Sequence, residues 1–133
     1  MSQDWPNPYR NPNPYIPASL SEIYDLLAAM VFDAPTFIDK FGVFPERNID
    51  SRFHQLTAGF GLVRTKLGEE RYAALIDLAA RAKALFAADQ EDLNGKTDEG
   101  RALLFEMEDV LKEVRRSRVK AKLPDDEGEV TGD

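Results

Sequence analysis

The chain has no cysteine, which excludes disulfides, thiolate metal sites and cysteine nucleophiles. Its single histidine, His54, cannot form the histidine pair or the His–Cys set that zinc prefers. One turn into a helical segment, such a histidine reads as a surface or satisfied half-buried side chain. A Ser-His-Asp triad would need a nucleophile elbow or a comparable local signature, and none accompanies His54. No run approaches the roughly 18–20 apolar residues of a membrane span. The opening residues MSQDWPNPYR have neither the basic nor the apolar region of a signal peptide, so the expected location is cytoplasmic. Positive charge is also in short supply, with 17 Lys and Arg against 24 Asp and Glu, a net charge of −7. That balance disfavours a general affinity for nucleic acid or anionic membranes and would suit a basic protein partner.

What is present is helical periodicity in a chain of single-domain length, 133 residues. Residues 1–17 stand apart. Five of the eight prolines lie there, with the repeated triplet Asn-Pro-Tyr and the aromatics Trp5, Tyr9 and Tyr15. Proline fixes φ and removes donors, so this arm is expected to be extended, its aromatics either docking on a partner or completing the protein's own core. Residues 18–122 form the helical domain. Ser19 and Glu22 match a capping box, followed by the stripe Leu20, Ile23, Tyr24, Leu27, Met30 and Val31. Asp33-Ala-Pro35 is expected to restart the chain as a short helix carrying Phe37, Ile38 and Phe41 and ending at Gly42, with Phe44 pinning the next connector. Asp50 is the expected cap of a helix reaching Leu67, despite Gly59 and Gly61 inside it, with Gly68 as a tight corner.

The segment Glu69–Ala88 has an apolar stripe through Tyr72, Leu75, Ile76, Ala79, Ala82 and Phe86, and alanines on its other side. This pattern predicts the central helix of the bundle. A polar loop with the turn signal Asn94-Gly95 leads to a last helix ending near Val119, whose stripe of Leu103, Leu104, Met107, Val110, Leu111 and Val114 approaches a heptad seam. Residues 123–133 form an acidic tail without apolar period, expected to be disordered. The expected fold is all-α, a compact bundle of four to five helices.

Several stretches invite a chemical reading. In the loop after Asp89, Asp92, Asn94 and Gly95 mimic EF-hand positions 3, 5 and 6. The register puts Gln90 first, Lys96 seventh and Arg101 where the bidentate glutamate belongs, so a solvated turn is the better account. Gly59-Phe-Gly61 lacks the third glycine and the preceding strand of a dinucleotide site. Glu106, Glu108, Asp109 and Glu113 could supply paired carboxylates, but no Glu-x-x-His motif accompanies them, and they read as a solvated or partner-facing acidic flank. Arg115, Arg116, Arg118, Lys120 and Lys122 form the one stretch that resembles a nucleic-acid contact, and the acidic tail offsets it.

These patterns favour a non-enzymatic protein-binding module without cofactor or metal. Its sharpest version is a toxin-neutralising immunity or inhibitor protein that works by surface occlusion. The candidate contacts are the acidic flank (Glu106, Glu108, Asp109, Glu113) and the arm (Trp5, Tyr9, Tyr15). One alternative is a nucleic-acid-associated regulator using Arg115–Lys122, with a homodimer along the heptad-like seam as one form of it. A carboxylate-based enzyme is the remaining alternative.

Overall fold

A computed structural model of the chain describes residues 15–39, 42 and 46–121. The helices are α1 (Leu20–Asp33), α2 (Ile49–Leu62), the single turn α3 (Arg64–Leu67), α4 (Glu69–Ala87) and α5 (Lys96–Lys120). There is no strand among the described residues, so the expected all-α bundle is what forms.

The four long helices close a ring in which α1 packs on α2, α2 on α4, α4 on α5 and α5 back on α1. Arg101, early in α5, donates to the carbonyls of Val31 and Ala34 at the end of α1. Lys112, late in α5, lies over Tyr24 near the start of α1. The two helices are therefore antiparallel. The core they share comprises Leu20, Ile23, Leu27 and Met30 of α1, Phe53, Leu56 and Phe60 of α2, Leu75, Leu78, Ala79, Ala82 and Phe86 of α4, and Leu104, Met107, Leu111 and Val114 of α5. Burying each large apolar side chain contributes on the order of 1.5–3 kcal/mol.

The starts of the helices are chemically explicit. The Ser19 hydroxyl accepts from the Glu22 amide, and Glu22 reaches back to the Ala18 N–H, one residue before the cap. Helix α2 is capped by Asn48 and not by Asp50, because Asn48 and Ser51 exchange side-chain and backbone bonds reciprocally. That helix also ends sooner than its pattern suggests. Val63, at φ −108° and ψ 19°, leaves helical geometry, and α3 resumes for one turn before Gly68 at φ +83°.

Two further expectations are corrected. The described part of the Asp33–Gly42 segment is a turn and not a helix. The turn spans residues 34–36 and leads into Phe37, whose backbone sits at φ +61°. Left-handed backbone is costly for a bulky residue, but here it swings the Phe37 ring edge-on to Phe53 at 5.6 Å and to Phe86 at 5.2 Å, fully buried. Ile38 is exposed instead of buried, and Phe41 and Phe44 lie outside the described residues. Helix α4 is also not central. Ala73, Ala74, Ala80, Ala84 and Ala87 face outward, so it is one wall of the ring. An exposed alanine costs a helix nothing in propensity, so an alanine-rich opposite side does not require a second layer.

The loop from α4 to α5 is organised by Asp89, which the sequence pattern does not mark. Its buried carboxylate accepts from the amides of Leu93, Asn94 and Thr97, and its carbonyl accepts from the Thr97 hydroxyl. Burial pushes this carboxyl up, yet those N–H and O–H donors outweigh it and hold it below the usual range. Gln90 donates to the carbonyls of Pro35 and Phe86, and Asn94 accepts from the Lys96 amide. Of the loop oxygens that resemble calcium ligands, that of Asn94 thus serves the chain's own amide.

Candidate partner-binding face

The acidic flank lies on the outer side of α5, with one member missing. Glu106, Asp109 and Glu113 are exposed, but Glu108 is only 8% accessible. Four residues after Leu104 and three before Leu111, it falls on the core stripe and faces α1. Burial pushes its carboxyl up, the Lys112 charge pulls it partly back, and Asp109 adds a smaller upward push. Glu108 is therefore removed from the partner-facing set. Lys112, one turn further along α5, places its ammonium 5.8 Å from the centre of the Tyr24 ring.

Two exposed aromatics, one on α5 and one on α1, belong to no apolar stripe. Phe105 is 50% exposed and Phe32 is 88% exposed. The antiparallel register set by Arg101–Val31 and Lys112–Tyr24 brings Phe105 alongside the Ala28–Phe32 turn of α1. Phe32 stands on the side of α1 opposite its buried stripe, and Asp25, Glu106 and Asp109 are exposed on the same two helices. The signal was present in the sequence: a phenylalanine out of phase with its own helix's stripe must face outward.

Of the arm, only Tyr15 is described; Trp5 and Tyr9 lie outside the described residues. Tyr15 is tied down at both ends. Its carbonyl accepts from the Gln55 side chain at 2.8 Å, and its hydroxyl donates to the Glu22 carboxylate. That bond, with burial and the Glu22 charge, pushes the phenol up to about 12, and in return it holds Glu22 below its ordinary range. Gln55 also accepts from buried Arg52, 3.7 Å from Asp33, so one polar chain links the arm's end to both α2 and α1. Pro17 seals this junction against Gly59, where an added Cβ would meet the proline ring at 3.0 Å.

The basic end of α5 is divided. Arg116 and Lys120 are exposed, Arg115 and Arg118 are half-buried and already interact with other groups of the chain, and Lys122 lies outside the described residues. His54 borders an open groove of about 370 Å³ between α2 and α4, lined by Phe53, Ile76, Ala79 and Ala80. Its polar neighbours are committed elsewhere. Asp50 pairs with Lys83 at 2.9 Å, and the Thr57 hydroxyl donates to the Phe53 carbonyl. No cluster of three or more His, Cys, Asp or Glu side chains suited to a metal occurs among the described residues. No described helix is long and apolar enough to cross a membrane.

Comparison with known proteins returned no match: no family model, no curated protein and no solved structure corresponds to this chain.

Proposed function

We propose that the protein is a non-enzymatic protein-binding module that works by covering part of another protein's surface through the outer α1–α5 face. The observation that carries this reading is the exposure of two large aromatics, Phe32 on α1 and Phe105 on α5, with the exposed carboxylates of Glu106, Asp109 and Glu113 on the same helix as Phe105. Large apolar groups in water are unfavourable for an isolated domain, and aromatics are the usual anchors of interfaces. The flanking negative charge would steer a basic partner and raise its association rate. A toxin-neutralising immunity or inhibitor protein is the sharpest form of this reading, since occlusion requires no chemistry from the binder.

The test is affinity capture from nuclease-treated lysate of the source organism. Wild type is compared with Phe32→Ser/Phe105→Ser and with Glu106→Lys/Asp109→Lys, each checked for unchanged helical circular dichroism. The expected result is one stoichiometric protein held by wild type and reduced about tenfold or more by either variant. Equal retention by both folded variants, or recovery of nucleic acid alone, would contradict the proposal.

A further inference from the structure

The outer face of α5 has a second regularity, its charge order along the helix. Ala102, Phe105, Asp109, Lys112, Arg116 and Val119 follow one another at spacings of 3, 4, 3, 4 and 3, a heptad-like line on the side away from the core. All six are exposed. The line is acidic and aromatic towards its start and basic towards its end.

We propose that, in the absence of another partner, this face pairs with a second copy of the chain, two α5 helices lying antiparallel about a two-fold axis between Val110 and Leu111. A two-fold axis there brings together positions equally far on either side of it, and each such pair on the line is complementary. Asp109 meets Lys112 of the second copy, an ion pair made twice. Phe105 meets Arg116 of the second copy, a guanidinium over an aromatic face. Ala102 meets Val119 of the second copy, and Val119 is 68% exposed in the single chain. The like-charged pair Arg101 and Lys120 does not oppose it, because the Arg101 guanidinium is turned inward to the carbonyls of Val31 and Ala34. Such an interface is isologous and self-limiting, so it closes at two copies. A parallel pairing would set acid against acid and base against base.

This pairing uses the face assigned above to a partner but stands without that assignment, because it is measured on the purified chain alone. The experiment is sedimentation equilibrium of the full chain at low and high salt. It includes Asp109→Lys, Lys112→Glu, an equimolar mixture of those two variants, and Ala80→Lys on the outer side of α4 as control. Wild type and Ala80→Lys are expected to be dimers that weaken with salt. Each α5 variant alone should weaken the dimer about tenfold or more through two like-charge pairs, and the mixture should restore it. Lys112 also covers Tyr24, so Phe105→Lys, which sets a second cation against Arg116 of the other copy, serves as an independent disrupting variant should Lys112→Glu lose its helical signal. A monomeric wild type would overturn the proposal, and so would a dimer indifferent to Asp109→Lys and Phe105→Lys. Either result would leave capture of a different protein by this face unaffected.

Discussion

Glu108 shows how a single residue's phase on a helix decides its role. By composition it belongs with Glu106, Asp109 and Glu113, yet 100° per residue turns it onto the core side, where burial raises its carboxyl. A carboxyl raised in the folded state favours the protonated form. Its contribution to stability is full below the unfolded carboxylate range and is lost as pH rises through the higher folded value. Glu108→Gln is therefore expected to melt at a higher temperature than wild type near neutral pH, with the difference shrinking as pH falls into the carboxylate range. Thermal denaturation of the two proteins across pH 4–8 checks it, and a constant difference would show that the charge is not the cause. Glu22 works with the opposite sign. The Tyr15 hydroxyl holds its carboxyl low, so its contribution is present above the ordinary carboxylate range and is lost as pH falls through the lowered value. Both proteins carry Glu22, so it cancels in the comparison.

At the scale of elements, the stripes of α1, α4 and α5 were legible because apolar periodicity is a local property of the chain. Leu20, Ile23, Leu27 and Met30 are buried as their spacing requires. What escaped depends on contacts made across the chain. The Phe37 backbone is left-handed because two rings from α2 and α4 await it, and nothing near position 37 announces them. Asp89 collects donors as far as eight residues ahead, a cap that exists only once the loop has closed. The outward aromatics Phe32 and Phe105 were readable in principle, since each is out of phase with its helix, but a search for stripes passes over what the stripes omit. Gly100 belongs to the same class of non-local residue. An added Cβ there would lie 2.6 Å from the Phe86 ring, which is itself packed on Phe37 and Phe53. Gly100→Ala is thus expected to destabilise the protein by about 1–3 kcal/mol, although alanine is the better helix former. Denaturant unfolding measures this, and a stabilised variant would mean that α4 and α5 separate more easily than their packing implies.

For the whole molecule, net charge is a poor guide and its distribution a better one. The formal −7 suggests an evenly acidic body, whereas α5 alone is polarised, with carboxylates leading and guanidinium and ammonium groups following. The arrangement suits the helix macrodipole, so part of it needs no functional explanation. The macrodipole does not, however, account for the exposure of Phe32 and Phe105. The ring of four helices holds its core without them, which leaves the outer α1–α5 face free to act on something else. The most direct test is a photo-crosslinking side chain placed at position 105, compared with one at position 80 on α4, in cells of the source organism and in the purified protein. A discrete protein adduct from position 105, with another protein or with a second copy of this chain, and none from position 80 is the predicted result. A discrete adduct from position 80 with none from position 105 would contradict the assignment of the working face to α1 and α5.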